Sequence, residues 1–339
     1  MSTSMQLGRT YNQVHVGRKY TPGKRRFSIY ITWSYPAEAN RDLTALDNRF
    51  SSMTEVRRVG WPAFEAPEYS NPLMYQQGIA GSLELFFRSW LRFQHAVGEI
   101  TGHVVPVYQR VDQAGYKLPL DERTLSDTDT LLVWGLDSVG TGQEPTDGEI
   151  EAVRRFLERE GTCLVLGPHH DVGASDDLKV RDMEYHHHGD ALVPRQQRFG
   201  VYTRALMKGL GIDVENRYGL RPATVKGTNE IAPLRIMSDL DSRGFLTGVT
   251  TFTFHMHLPH YALTSADAKI SVLATQPIDL SRPHPFTEAG NRELNTLVWL
   301  SPNGNRAGDV LVADSTIFST LFGGTESLER FWKNLAMVK

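Results

Sequence analysis

Cysteine is almost absent from this chain of 339 residues, which contains a single one, Cys163. One cysteine excludes a framework of intramolecular disulfide bonds and is typical of proteins from a reducing compartment. Long apolar runs are also missing, since no stretch approaches the roughly 20 residues that a membrane-spanning helix needs. The first 20 residues contain no apolar core of the kind that a secretory signal requires. We therefore expect a cytoplasmic protein with no membrane partner.

The chain also lacks an excess of charge of either sign. Lys and Arg number 36 against 39 for Asp and Glu, so the formal net charge is -3. This balance gives no electrostatic basis for nucleic acid as a partner. Phosphate-binding loops are missing too, because the segment Gly140-Thr141-Gly142 is too short for a dinucleotide or P-loop fingerprint. We expect a small-molecule substrate and no nucleotide cofactor.

What the sequence does contain is a regular alternation of strand-like and helix-like segments. Thr146 and Glu149 have the spacing of a capping box, which predicts that a helix begins there. The alternation predicts an α/β fold, a three-layer sandwich with a mainly parallel sheet. The predicted strands cover residues 27–33, 104–108, 130–134, 162–166, 249–257, 269–275, 294–300 and 310–313. The predicted helices cover residues 74–97, 147–160, 195–210 and a closing segment capped at Thr325.

The domain organisation predicted from these segments is simple. Residues 1–26 are polar and basic with no hydrophobic period, which indicates a flexible arm. Residues 27–339 then form a single domain with three long insertions, at 38–72, 172–194 and 212–248. The second insertion is predicted to be a polar loop. The basic arm and the aromatic-rich helix at 74–97 also favour a homo-oligomer.

The most informative stretch runs from residue 129 to residue 173, as strand, loop, capped helix, strand and turn. Its last strand, residues 162–166, is wholly apolar apart from its first residue, as in parallel sheets that are buried on both faces. The turn that follows contains His169, His170 and Asp171. Because ligands of open α/β sheets gather at the carboxyl ends of the strands, we expect the functional site at this turn.

Four segments resemble parts of the class I glutamine amidotransferase-like superfamily, and its ThuA-like members in particular. The resemblance extends over about residues 100–170 and 295–337 and implies a flavodoxin-like architecture, although fold alone does not give function. The segments cover residues 129–134, 149–160, 161–167 and 308–318.

One departure from that superfamily concerns the nucleophile. Amidotransferases place a cysteine in the turn after this strand, whereas the present chain has Gly167-Pro168-His169. Cys163 lies in the middle of an apolar strand, where a thiol packs rather than reacts. The resemblance therefore implies the fold without the Cys–His–Glu glutaminase mechanism.

Histidines replace the missing nucleophile as candidates for chemistry. Eight of the twelve fall in three clusters, at 169–170, 186–188 and 255–260. Neutral imidazole is a common ligand of transition metals, and His255 and His257 project from the same face of a predicted strand. We expect one divalent metal, Zn, Mn or Fe. The predicted ligands are His169, His255, His257 and His260.

The predicted reaction is hydrolysis of a polar C–N or C–O bond by metal-activated water. The predicted catalytic residues are His169, His170 and Asp171, and in a metal-free form of the site Asp171 or Glu184 would orient a histidine base. Two alternatives stay open: a metal-free lyase or isomerase that uses histidine as acid and base, and a non-catalytic binding or assembly module. In the last case the paired histidines are half-buried structural residues, and the 186–188 run is solvated.

Substrate-binding candidates come from the N-terminal part of the domain. Trp33 and Tyr35 close the first predicted strand, so they should stand at the same carboxyl edge as the histidine turn. Arginines form bidentate hydrogen bonds with carboxylates and phosphates, and Arg49 and Arg58 are predicted to bind an anionic group in this way. The alternative for these arginines is a surface pairing with nearby glutamates.

Overall fold

The computed structural model describes residues 21–33, 88–103, 105–112, 115–137, 139–188, 196, 198–252, 257–267, 269–321 and 323–338. Ten strands lie in these ranges: β1 (Phe27–Ile31), β2 (Val107–Gln109), β3 (Thr130–Gly135), β4 (Cys163–Pro168), β5 (Val214–Leu220), β6 (Arg235–Ile236), β7 (Leu258–Leu263), β8 (Ile270–Pro277), β9 (Glu293–Leu300) and β10 (Asp309–Ala313).

The helices of the same ranges are α1 (described over 88–101), α2 (Glu122–Leu125), α3 (Asp147–Glu158), α4 (Leu178–His188), α5 (Val201–Gly209), α6 (Pro285–Glu288) and α7 (Thr325–Met337). Short 3₁₀ turns cover Val139–Thr141 and Ser315–Phe318. Within the described part of the chain, every helix is too short or too polar to cross a bilayer.

Eight of the strands form one sheet, in the order β2-β1-β3-β4-β10-β9-β8-β6. The first five of these are mutually parallel, and the last three pair in antiparallel fashion. β5 and β7 form a separate antiparallel pair. The predicted α/β class with a large, mainly parallel sheet is thereby confirmed.

Both faces of the large sheet are buried, which explains why its central strands are continuous apolar runs. In β1, Phe27, Ile29 and Ile31 belong to one hydrophobic core, whereas Tyr30 belongs to another. Helices supply the opposing side chains of each core, so both apolar faces are shielded from water. The first core contains Trp90, Phe93, Leu328 and Phe331, and the second contains Val153, Phe156, Tyr202 and Leu206.

The predicted capping box at the start of α3 is present. Thr146 accepts a hydrogen bond from the backbone N–H of Glu149, and the Glu149 side chain accepts one from the backbone N–H of Thr146. Glu149 is also paired with Arg110 and accepts a hydrogen bond from the hydroxyl of Tyr202. The cap is thus anchored to the rest of the domain.

The prediction of a polar loop at 172–194 is wrong, because α4 occupies Leu178–His188. Its buried side chains are Glu184, His187 and His188, all of them polar. A helix that buries polar groups shows no apolar period, so the sequence pattern contained no helix signal. The 212–248 segment likewise contains regular structure, β5 and β6.

Two further expectations need correction. The predicted strand at 249–257 is not formed at residues 249–252, where Val249 and Phe252 pack into the first core, and the next strand is β7, which begins at Leu258. The predicted arm does not extend to its last two residues. Arg25 donates hydrogen bonds to the carbonyls of Gly161 and Val338. Arg26 pairs with Asp129, so both arginines are held by the domain.

Candidate metal centre

The candidate centre begins where two neighbouring parallel strands end. β4 ends at Pro168 and is followed by His169 and His170, and the adjacent β10 ends at Ala313 and is followed by Asp314. The residues that follow two neighbouring parallel strands lie at the same edge of the sheet. The two histidines and the aspartate therefore meet at the carboxyl edge, although they are separated by about 145 residues in sequence.

Asp314 contacts both histidines of the turn through the same type of ring nitrogen. Nδ1 of His169 lies 3.1 Å from one carboxylate oxygen, and Nδ1 of His170 lies 3.4 Å from the other. A carboxylate can only accept, so each neutral imidazole carries its proton on Nδ1 and its lone pair on Nε2. A histidine whose other nitrogen donates to a carboxylate is the usual arrangement of a metal ligand.

His257 completes a three-histidine group with His169 and His170. One ring nitrogen from each of the three residues lies within 4.8 Å of the other two, close enough for all three to bind one ion. The ring centroids of His170 and His257 are 4.1 Å apart, and those of His169 and His257 are 6.4 Å apart. All three side chains are buried. The group confirms that histidines distant in sequence form a set that could hold a metal ion.

A fourth imidazole, that of His188, lies against the three-histidine group. Its ring centroid is 4.1 Å from that of His257, with 32° between the ring planes, and the side chain is buried. His188 is the last residue of α4, and it falls outside the set whose nitrogens all lie within ligand distance of one another. The run at 186–188 is therefore not a solvated loop, since only its first residue, His186, is exposed.

Burial and neighbouring groups set the charge of the centre. Burial, with a smaller contribution from neighbouring His169, lowers the pKa of His170 to about 3, although Asp314 acts in the opposite direction. Burial by itself would raise the pKa of Asp314, but the imidazoles of His169 and His170 bring it well below its usual range. At neutral pH the centre therefore contains an ionised carboxylate and a neutral His170, the form in which imidazole binds metals.

The backbone of β5 forms one wall of the centre, and a glycine makes this possible. A Cβ atom built at Gly219 would lie 2.4 Å from Cδ2 of His170, far inside van der Waals contact. An isolated bridge between Asp171 and Tyr218 holds the turn to the same strand. A side chain at position 219 would therefore displace the His170 ring.

A second histidine group, consisting of His187 and His284 with Glu184, lies on another side of α4. Nδ1 of His187 accepts a hydrogen bond of 3.2 Å from the backbone N–H of Arg221. Nδ1 of His284 accepts one of 3.1 Å from the backbone N–H of Phe286 and so caps α6. Because Nδ1 accepts in both residues, the neutral rings carry their protons on Nε2, which is then a donor and not a metal ligand.

Glu184 connects this second histidine group to the histidine turn. One of its carboxylate oxygens lies 3.7 Å from Nε2 of His284, and the other accepts a hydrogen bond of 2.8 Å from the backbone N–H of Ala174. Ala174 lies just after the turn that contains His169 and His170. Glu184 therefore fixes the position of α4, and with it that of His188, relative to the turn.

His260, a predicted metal ligand, has the same hydrogen-bonding pattern as the second histidine group. Its Nδ1 accepts a hydrogen bond of 3.2 Å from the backbone N–H of Asn295, and its ring stacks on Tyr218 and contacts Phe286. Burial lowers its pKa to about 4. Its proton is on Nε2 when the ring is neutral, so the structure does not place His260 in the three-histidine group.

The other predicted site residues are distributed as follows. Asp171 binds Arg204 and the backbone N–H of Phe199, and it contacts neither histidine through its carboxylate in the described structure, so the orienting carboxylate is Asp314. Trp33 has no exposed surface and packs in the first core. The remaining predicted residues, His255, Tyr35, Arg49 and Arg58, lie outside the described residues.

Sequence reasoning missed Asp314 and His284 as members of these groups, and it left open whether the run at 186–188, which contains His188, joins the site. Asp314 follows an apolar strand, which is the same signal that pointed to His169, and could have been found in that way. His188 gives no such signal, because its helix has no apolar period. His284 precedes Pro285 as a helix cap, but nothing in the sequence relates it to Glu184.

Comparison with models of protein families and with curated proteins finds no match for this chain. The likeness to amidotransferase-like proteins thus rests on sequence segments alone. The geometry of the three-histidine group carries the functional conclusion by itself.

Proposed function

We propose that the protein is a metal-dependent hydrolase that acts on a polar C–N or C–O bond of a small molecule. The single observation that carries this proposal is the convergence of His169, His170 and His257 at the carboxyl edge of the sheet, with Asp314 orienting two of the rings. Burial that keeps His170 neutral supports it, since metal binding requires an unprotonated imidazole.

The donor set indicates which metals would fit. Three imidazole nitrogens suit zinc, iron or another transition metal of the first row better than calcium or magnesium, which prefer oxygen ligands. Three protein ligands leave a coordination position for water, which a bound divalent metal would make a stronger acid and a better nucleophile. Asp314 would hold the His169 and His170 rings in the required orientation.

The proposed reaction is balanced without a redox partner. The oxygen of water forms a bond to the carbon of the scissile group, and the C–N or C–O bond breaks. One proton of the water ends on the departing nitrogen or oxygen. We assign the transfer of that proton to His188, whose ring contacts that of His257 and which is not a member of the ligand set.

We also propose that the architecture is a three-layer, flavodoxin-like sandwich of the amidotransferase-like type. The sheet order and the two cores support this type. A cysteine mechanism does not accompany it here, because Cys163 lies within β4 and burial raises the pKa of its thiol to about 12. A thiol with that pKa contains almost no thiolate at neutral pH.

A metal-free acid–base enzyme, a lyase or isomerase, is the second candidate. It is favoured by one observation, the pairing of His169 with Asp314, since a carboxylate that orients an imidazole is also the arrangement of a general base. His170 does not suit that role, because a base with a pKa of about 3 accepts a proton poorly at neutral pH.

Metal analysis of the purified full chain separates the two candidates. We expect about one equivalent of zinc or another transition metal per chain, retained on gel filtration and removed by a strong chelator. His170→Ala and His257→Ala should abolish this stoichiometry. His186→Ala is the matched control, because this exposed histidine is next to the cluster in sequence.

Activity is then measured on the metal-loaded and chelated forms of the same preparation, with a panel of small amides, cyclic amides and esters. Hydrolysis that disappears with the metal and returns on its addition would support the proposal. A chain that binds no transition metal, and whose turnover and unfolding are indifferent to chelator, would refute it.

A further inference from the structure

Next to the three-histidine group, two arginines, Arg198 and Arg204, lie within ion-pair distance of a single carboxylate, that of Asp171. Arg204 binds both oxygens of Asp171, at 2.8 and 2.9 Å, and the backbone N–H of Phe199 donates a third hydrogen bond at 2.9 Å. A bidentate guanidinium pairing of this kind already neutralises the carboxylate. Asp171 is buried, so this inner pair is part of the fold.

Arg198 is the additional cation. Its Nε lies 3.8 Å from Asp171, and its side chain is 45% exposed. Within the described ranges, its guanidinium has no other hydrogen bond or ion pair. Since Nε is the atom closest to Asp171, the two terminal nitrogens lie farther from this carboxylate, and no residue of the described ranges pairs with them. Two such nitrogens form the planar fork that binds a carboxylate or phosphate.

The position of Arg198 links this fork to the candidate metal centre. The next residue, Phe199, places its ring 5.2 Å from the His169 ring, measured between centroids. Arg204, the other cation of the network, also donates to the backbone carbonyl of His169 at 3.3 Å. A ligand bound by Arg198 would therefore lie beside the three-histidine group.

The balance of charge around the centre favours an anion. Asp171 is paired with two guanidiniums, those of Arg198 and Arg204, and the carboxylate of Asp314 lies against the imidazoles of His169 and His170. A divalent metal held by three neutral imidazoles would then give the site a net positive charge. Such a charge in a largely buried site attracts anionic molecules and repels cationic ones.

We propose that the substrate carries an oxyanion, a carboxylate or a phosphate group, and that Arg198 binds this group while the scissile bond lies at the three-histidine group. This inference rests on the proposed function, because it assigns a substrate class to the same site. It makes Arg198 a specificity residue, which distinguishes among substrates without touching the bond that breaks.

Anion binding to the cobalt-substituted full chain tests the inference without knowledge of the natural substrate. Co²⁺ in place of the resident metal gives a visible spectrum that changes when an anion joins the coordination sphere. The probes are acetate, which can occupy the metal only, and the dicarboxylates malonate, succinate and glutarate, which differ in reach. The variants are Arg198→Ala and Arg198→Lys. The control is Arg155→Ala, which removes an arginine of comparable exposure, 55%, from α3.

We expect one dicarboxylate to bind the wild-type chain about tenfold more tightly than acetate, because a charge-assisted bidentate pair typically adds this much. Arg198→Ala should abolish the advantage and leave the affinity for acetate unchanged. Arg198→Lys should keep part of it, and Arg155→Ala all of it. Phosphomonoester probes of similar reach then show which oxyanion is preferred.

Two negative results have different meanings. If the chain takes up Co²⁺ but every dicarboxylate binds like acetate, or Arg198→Ala leaves the difference intact, the assignment of Arg198 is wrong and the proposed function stands. If the wild-type chain takes up no metal, the proposed function fails and the substrate assignment fails with it.

Discussion

The two histidine groups of this protein are built from the same side chain and both are buried, yet they differ in what each Nδ1 atom contacts. In the three-histidine group, Nδ1 of His169 and of His170 meets a carboxylate, that of Asp314. In the second histidine group, Nδ1 of His187 and of His284 accepts from a backbone N–H. The first arrangement leaves a lone pair on Nε2, and the second leaves a proton there.

This difference shows that clustering and burial do not by themselves define a metal centre. Distance already favours the three-histidine group, whose ligand nitrogens lie within 4.8 Å of one another, over the second group, in which the ring centroids of His187 and His284 are 5.9 Å apart. The hydrogen-bond partner of the far nitrogen separates them, because it decides whether the near nitrogen can donate electrons to an ion.

A fall in pH should have the largest effect on the free energy of unfolding, because it protonates buried histidines of both groups. Burial lowers the pKa values of His170, His187 and His260 to about 3, 4 and 4, against 6.5 for an unperturbed histidine. At pH values between these lowered pKa values and 6.5, the unfolded chain binds more protons than the folded chain. Stability therefore falls as the pH falls from 6.5 towards 4. Asp137 opposes the trend, because burial raises its pKa to about 6.

We expect the metal-free protein to lose on the order of 5 kcal/mol of unfolding free energy between pH 6.5 and pH 4, since three depressed histidines outweigh one raised aspartate. Urea unfolding at a series of pH values measures this change. Stability that is flat over that interval would mean that these histidines are already protonated or solvated in the folded protein.

Gly219→Ala should disturb the three-histidine group alone. The added Cβ would lie 2.4 Å from Cδ2 of His170, so the ring must move or β5 must shift. Overpacking of this kind costs about 1–3 kcal/mol of unfolding free energy, and we expect metal affinity to fall as well. Gly304→Ala is the control, since a Cβ there has no heavy atom within 4 Å. Equal behaviour of the two variants would contradict the close contact.

Asp314→Asn tests the carboxylate that distinguishes the two histidine groups. An amide keeps an acceptor for one imidazole but presents its own N–H to the other, which must then turn or change its tautomer. Loss of such an orienting carboxylate typically weakens metal binding by about 10–100-fold. Competition with a chromophoric chelator measures the affinity. An unchanged affinity would mean that Asp314 does not orient the ligands.

Glu184→Gln should have the smallest effect on metal affinity, because Glu184 belongs to the second histidine group. The amide can still accept from Ala174, but it loses its attraction for His284. Because the change is indirect, metal affinity should stay within about twofold of wild type, while unfolding free energy falls by about 1 kcal/mol. A loss as large as that of Asp314→Asn would place Glu184 in the metal centre.

The sequence predicted the sheet better than it predicted the site. The apolar strands at 130–134, 162–166 and 294–300 are formed, and the Thr146–Glu149 capping box is present, because local patterns determine such elements. His169 was predicted from its place after a strand, a rule of topology that requires no contact information.

The contacts of the site could not be predicted in the same way. α4 contributes His188 through a polar face that has no apolar period, so the helix itself was mistaken for a loop. His260 lies only three residues after His257. Yet its Nδ1 accepts a hydrogen bond from the backbone N–H of Asn295, and its ring packs against Tyr218 and Phe286. Spacing in sequence shows that two side chains can approach each other, but hydrogen-bond partners distant in the chain decide what each of them does.

The most direct test of this account is the tautomer of each histidine, read from ring ¹⁵N chemical shifts in the metal-free, ¹⁵N-histidine-labelled chain at neutral pH. Single substitutions at the five positions supply the assignments. We expect a proton on Nδ1 for His169 and His170 and on Nε2 for His187, His260 and His284. A proton on Nε2 of His169 or His170 would contradict it, because the nitrogen that should bind the metal would have no lone pair to give.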